Sequence, residues 1–231
     1  MSHDRDSVFL AVPMYDNSVQ MRTAMSLMAA TRDRNLHVAF FGSSLLAHGF
    51  NRLWVMAIQQ RPRRWAMIHA DVGAAAGWLD MMLDDLEETG ADLLSAVIPI
   101  KNKPNTYSTA LGHIGDVPHY QLCKEHLEKL PPIFDGAQLR EVSGESGELC
   151  VNTGLWVCRF DAPWVRQVSF NIQTWIDWDG PKPICKCIPE DWGFSQQLHA
   201  LGLRVLATTK VPLVHVGQSE WAMKGSDGDQ D

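Results

Sequence analysis

Three apolar runs in this chain stop at residues that can do chemistry. "FLAVPMYDNS" breaks at Pro13 and continues into Tyr15 and Asp16. "RWAMIHADVGAAAG" ends on His69-Ala70-Asp71 and then uses small residues. "VPLVHVG" carries His215 near its end. Asp and His are suitable ligands for a hard or borderline cation such as Mn²⁺. A nucleoside diphosphate is the kind of anion such a cation serves, because its charges must be neutralised if it is to depart. The small residues after Asp71 let phosphates come close to the backbone. Each group also has a plainer reading: Asp71 can cap the next helix, and His215 can be a satisfied core histidine. A fourth stretch, "PEDWGFSQQLHALG", opens on Glu190 and Asp191. Two acids there are favoured by the helix dipole alone.

The apolar pattern predicts the elements that position these groups. Residues 7–12 and 37–41 read as buried strands, with a helix over 17–31 between them. Ser43 or Ser44 is placed to cap a second helix, where Leu46, Phe50, Leu53, Trp54 and Ala57 share one face. The third strand runs from Trp65 to Ile68. A helix with Trp78, Leu79, Met82, Leu83 and Leu86 inward follows, and Gly90 ends it. A fourth strand spans 91–100. This alternation is that of a parallel sheet covered by helices, in which ligands sit beyond the carboxyl ends of the strands. The second half is less regular. It offers strand candidates at 106–111, 117–122 and 155–160, a loop at 144–148, a helix over 189–202, and strands at 203–207 and 211–216. Trp54 and Trp78 belong to apolar helix faces. Trp175 and Trp178 lie in a polar, turn-rich segment that suits either a mobile loop over a ligand or a small pinning cluster.

The totals narrow the function classes. The 231 residues are 45% hydrophobic and 20% charged, with a net charge of −7. A broad basic surface for nucleic acid is therefore not expected, although Arg61, Arg63 and Arg64 could form a local patch. Several of the nine tryptophans could form a stacking platform for a sugar or a base. No signal peptide and no membrane span are read from the sequence. The five cysteines, odd in number, suit a reduced cytoplasmic protein. Cys150, Cys158, Cys185 and Cys187 lack the paired spacing of a zinc site.

In their order along the chain, these segments resemble the GT-A glycosyltransferases, the nucleotide-diphospho-sugar transferases that move a sugar from a sugar nucleotide to an acceptor. The resemblance covers residues 8–217. "FLAVPMYDNS" looks like the opening strand and nucleotide loop, and "LLAHGFNRLWVMAI" like the helix that carries an Arg-Asn pair. "MIHADV" is similar to the DxD segment, "NTGLWVCR" to the segment lining the donor sugar, "PEDWGFSQQLHALGLRV" to the xED segment, and "VPLVHVG" to the closing strand with its metal-binding His.

The resemblance implies an α/β fold of GT-A type: a single domain with a Rossmann-like, mostly parallel sheet flanked by helices. The domain would span 1–220, with a nucleotide-binding half at about 7–100 and an acceptor-binding half at about 101–217, followed by a flexible acidic tail at 221–231. It implies a hexosyltransferase-type enzyme using a nucleotide sugar, a UDP-sugar above others, with Mn²⁺ or Mg²⁺. Asp71 and His215 would hold the metal with help from His69. Pro13, Tyr15 and Asp16 would meet the base and ribose, and Asn51, Ala70, Thr153 and Gly154 would line the rest of the donor site. Asp191 would be the general base, with Glu190 as runner-up, and transfer would invert the anomeric carbon.

Two departures stand out. His69 occupies the place of the first DxD carboxylate, and Phe50 that of the Arg before Asn51; Arg22, Lys101 or Lys103 could compensate. Two other readings remain. A sugar nucleotidyltransferase needs a Gly-rich basic loop after the first strand, which "PMYDNS" is not. A silent nucleotide- or glycan-binding module would suit the altered DxD but leaves Glu190-Asp191 and His215 without a use. The acceptor stays open among a glycan, a protein, a small molecule and a modified nucleic-acid base.

Overall fold

A computed structural model describes residues 7–217 and 220–222. Strand β1 (Ser7–Met14) leads to helix α1 (Met21–Met28), β2 (Asn35–Gly42), α2 (Leu46–Gln60), β3 (Arg64–Ile68), β4 (Val72–Ala74), α3 (Trp78–Thr89) and β5 (Leu93–Ala96). Then come β6 (Thr106–Gly112), β7 (Tyr120–Cys123), α4 (Lys124–Leu127), β8 (Ile133–Phe134), α5 (Gly136–Ser143), β9 (Glu148–Cys150) and β10 (Leu155–Arg159). A hairpin, β11 (Gln173–Asp179) and β12 (Lys182–Ile188), precedes α6 (Glu190–Ala200), β13 (Val205–Thr208), β14 (Leu213–Val216) and β15 (Glu220–Ala222).

Seven strands form the central sheet in the order β2-β1-β3-β10-β5-β13-β8. Five run the same way; β10 and β8 oppose them. The fold is thus mixed α/β with a mostly parallel central sheet. Its strands read as continuous apolar runs because helices cover both faces. Alternate residues feed two cores. Phe9, Trp65, Met67 and Trp156 pack on α2 and α6, whereas Leu10, Ala66, Ile68 and Val157 pack on α3.

The antiparallel β10 is the feature that builds the edge. Its first residue pairs with Ile68, the last residue of β3. The lead-in residues 152–154 therefore arrive at the edge where β3 and β5 end. A second small sheet, β4-β14-β15, crosses the same edge and sets His215 opposite Val72.

Several expectations shift. Helix α1 starts at Met21 rather than 17, because Asp16 accepts hydrogen bonds from the Ser18 N–H and hydroxyl in a local turn and Asn17 is left-handed (φ 58°). Ser43 does not cap α2: its hydroxyl bonds Leu45 in the preceding turn, and the N-cap residue is Leu45. Strand β5 stops at Ala96, and the chain then turns toward β6, where Ile98 accepts from Ser108 N–H. Gly90 ends α3 in the left-handed conformation (φ 67°), as expected. The strip around Trp175 and Trp178 is an ordered hairpin, pinned by a 2.8 Å ion pair between Lys186 and Asp177.

All five cysteines are free. Cys150 and Cys158 are buried, while Cys185 and Cys187 are exposed on the hairpin. Trp221 and Ala222, at the start of the expected tail, belong to β15; residues 223–231 lie outside the described residues. No helix among the described residues is long and apolar enough to cross a membrane.

Candidate active site

His69 and Asp71 follow the last residue of β3. The His69 N–H donates to the Gly154 carbonyl at 2.8 Å, which ties this segment to the start of β10. Ala70 is held from the other side, its carbonyl accepting from Gln20 N–H and the Thr23 hydroxyl. The Asp71 carbonyl accepts from Val216 N–H at 2.8 Å, which fastens it to β14. These backbone bonds leave the Asp71 side chain facing Lys101 and His215. Lys101 Nζ donates to Oδ2 at 2.5 Å, and His215 Nε2 lies 3.6 Å from the same oxygen. Burial alone would raise the Asp71 pKa. The interactions with His215 and Lys101 outweigh it and hold the carboxyl well below the usual range.

His215 is oriented by the backbone. Its Nδ1 sits 2.9 Å from the Pro99 carbonyl, which can only accept, so Nδ1 carries the proton. His69 is half-buried, its ring 5.2 Å from Phe50, and its Nε2 is shielded with no hydrogen-bond partner. Burial lowers its pKa to about 4, so the imidazole is neutral near pH 7.

The acid pair begins α6, where the Ser195 hydroxyl donates to the Asp191 carbonyl and accepts from Val151 N–H. This locks the first turn of α6 to the strand entering residues 152–154. Asn152 Nδ2 donates to Asp191 Oδ2 at 3.4 Å, and Asn152 Oδ1 accepts from Gly154 N–H at 2.5 Å. A Cβ at Gly154 would lie 2.6 Å from both Asn152 Oδ1 and Ile98 Cδ1, so a larger residue there would have to displace those side-chain ends. Asp191 carries a pKa of about 7, raised first by burial and then by the neighbouring Glu190, whose own pKa is also raised by burial. The Trp192 indole N–H donates to the Ser108 carbonyl, which fixes the ring beside this carboxyl.

The other expected residues divide. Pro13 is buried at the end of β1, and beyond it Tyr15 is 72% exposed, its ring open to a ligand. Thr153 is buried in the lead-in to β10. Asn51 is engaged elsewhere: its amide donates to the Phe170 carbonyl at 2.7 Å and accepts from Phe170 N–H at 2.9 Å. Asn51→Ala is therefore expected to lower stability by about 1–3 kcal/mol in a urea melt while leaving nucleotide affinity unchanged. Asn152 was not legible as a site residue; its neighbour Thr153 drew attention, but nothing in the spacing marks an amide beneath a carboxylate. Arg64, expected in a basic patch, is buried and paired to Glu87 at 3.1 Å, and Arg63 lies 3.8 Å from Asp161. A separate cavity of about 700 Å³ between Ile58, Arg61, Phe160 and Arg166 holds none of the acid–base groups.

A resident Mn²⁺ or Mg²⁺ does not fit these side chains as they stand. The Asp71 oxygen that a cation would take is capped by Lys101, and His69 Nε2 is shielded. Among the described residues no group of three or more His, Cys, Asp or Glu side chains is gathered for a metal.

No family model and no curated protein matches the chain. Among solved structures, A197 from STIV aligns over 97% of this chain and 98% of its own, with a TM-score of 0.60 at 10% identity. S. aureus TarS 1-349, solved in complex with UDP-GlcNAc, aligns over 53% of this chain and 47% of its own, with a TM-score of 0.32 at 12% identity. The A197 likeness is one of fold along the whole chain.

Proposed function

We propose that the protein transfers a sugar from a nucleotide sugar, a UDP-sugar above others, to an acceptor hydroxyl. The observation that carries the reading is Asp191. It is a carboxyl with a pKa of about 7, joined through Asn152 and Gly154 to the segment bearing His69 and Asp71. Perturbed acids at the carboxyl edge of an α/β sheet are where acid–base chemistry is placed.

In this reading Tyr15 stacks on the base, with Asp16 close to the ribose. The diphosphate lies toward Asp71, Lys101 and His215, and the acceptor lies between Asp191 and Trp192. Asp191 takes the proton of the acceptor hydroxyl as its oxygen bonds to the anomeric carbon. The bond from that carbon to the diphosphate oxygen breaks, and its electron pair leaves with the diphosphate. Attack from the face opposite the leaving group inverts the anomeric centre.

UDP titrated calorimetrically tests the donor half. The wild type is expected to bind UDP more tightly than uridine, and Tyr15→Ala to lose about tenfold, the worth of one stacked base. A wild type that binds neither ligand would end this reading.

A further inference from the structure

We propose that Lys101 is the cation of the diphosphate site, standing where a divalent metal would otherwise bridge Asp71 and the leaving group, and that donor binding is therefore metal-independent. This inference rests on the donor reading above and specifies its chemistry.

Four observations converge. The Lys101 ammonium donates to Asp71 Oδ2 at 2.5 Å, the same oxygen that faces His215 Nε2 at 3.6 Å. A metal entering between Asp71 and His215 would have to displace that ammonium. If both stayed, the metal would sit a few ångströms from a like charge, which is repulsive by kilocalories even in a solvated site. Second, the local charge is already balanced. His69 stands where the resembled segment has a second carboxylate, so a single carboxylate, Asp71, faces the single ammonium of Lys101. Third, the pair is open to the edge: the side chains of Lys101 and Asp71 are 31% and 36% exposed. An ammonium has three donors and Asp71 engages one, so two N–H groups can reach phosphate oxygens. Fourth, the backbone on either side of Lys101 is held. It lies in a tight turn after β5, where Ile100 N–H donates to Thr106, Lys103 N–H donates to Ile100, and Asn102 is left-handed (φ 62°).

During transfer the bond between the anomeric carbon and the phosphate oxygen breaks with its pair on the oxygen, so the diphosphate gains one negative charge. A fixed ammonium beside that oxygen stabilises the charge as it develops, and no cation need be recruited. Asp71 acts here as a positioning residue that holds the Lys101 ammonium.

The test is UDP affinity, measured by calorimetry in EDTA and again with Mn²⁺. The wild type is expected to bind UDP equally in both, within about threefold. Lys101→Ala is expected to lose tenfold or more in EDTA and to regain part of the loss with Mn²⁺, because Asp71 and His215 are then free to hold it. Lys101→Gln keeps most of the stem, removes the charge, and is expected to bind in EDTA as weakly as Lys101→Ala. A wild type that needs Mn²⁺ for UDP would overturn the role of Lys101 while leaving the donor reading in place. Lys101→Gln with wild-type affinity in EDTA would overturn it too. Absence of UDP binding under both conditions would remove both readings together.

Discussion

Asp191→Asn is expected to bind UDP as tightly as the wild type and to transfer sugar more slowly by a factor of about 10² to 10⁴, the usual contribution of a positioned general base. The loss belongs to kcat, because a group that only takes a proton during transfer contributes little to donor binding. The pH profile should carry the same signature. A base works as the carboxylate, so the rate should rise with pH through an acid limb centred near the Asp191 pKa of about 7 and vanish as a limb in Asp191→Asn.

Stability should move the opposite way. The folded pKa of about 7 lies above the ordinary 3.8, so the folded state keeps this proton after the unfolded chain has released it. Folding therefore loses stability as pH rises from about 4 to 7, and the loss is complete above 7. Asp191→Asn lacks that loss. It should melt at the wild-type temperature near pH 4 and several degrees higher at pH 8, the size expected for a few kcal/mol in a domain of this length. A variant that is slower and yet more stable at high pH is the pattern of a strained functional carboxyl.

Trp54→Ala is the second large effect, and it concerns the core. The Trp54 ring stands 4.7 Å from Phe160 and 4.8 Å from Trp65, with Trp156, Phe170 and Phe194 within about 6 Å. Its indole N–H donates to the Val165 carbonyl at 2.8 Å. Removing the ring deletes these contacts, opens a cavity and orphans that carbonyl, at a cost of about 3–5 kcal/mol. Urea denaturation should show this as a lower midpoint with an unchanged slope. Trp178, 65% exposed on the hairpin, offers the contrast: Trp178→Ala should stay within about 0.5 kcal/mol of wild type. Of the nine tryptophans, several of which could form a stacking platform, Trp54 and Trp78 are buried as their helix faces imply, and Trp65, Trp156 and Trp164 are buried with them.

What the sequence revealed follows from what carries periodicity. Helices α2 and α3 were legible because Phe50, Leu53, Trp54 and Ala57, and Trp78, Leu79, Met82, Leu83 and Leu86, repeat at three and four residues and are buried. Strands β1 and β3 were legible as unbroken apolar runs. The direction of β10 was not: a strand buried on both faces has the same pattern whichever way it runs, yet its reversal delivers Asn152 and Gly154 to the site. Short α5 and the β11–β12 hairpin were hidden by polar composition, because exposed faces carry no apolar stripe. Of the candidate residues, the places of His69, Asp71 and Asp191 at element ends were legible from the apolar pattern. The closing of Lys101 on Asp71, across 30 residues of sequence, depends on a turn after β5 that no local pattern specifies; Lys101 appeared there only as one of three possible substitutes for a missing arginine.

Sugar-nucleotide chemistry at the edge formed by β3, β5 and β10 can be read from UDP release. A panel of UDP-sugars without added acceptor would be incubated with wild type and with Asp191→Asn at pH 8, and free UDP measured over time, since water can replace the acceptor slowly. The wild type is expected to release UDP from at least one donor faster than the donor decomposes alone, and Asp191→Asn to suppress that release by about 10² or more with UDP affinity intact. Equal release by both proteins would contradict Asp191 as the base, and no release from any donor together with no UDP binding would contradict the account as a whole.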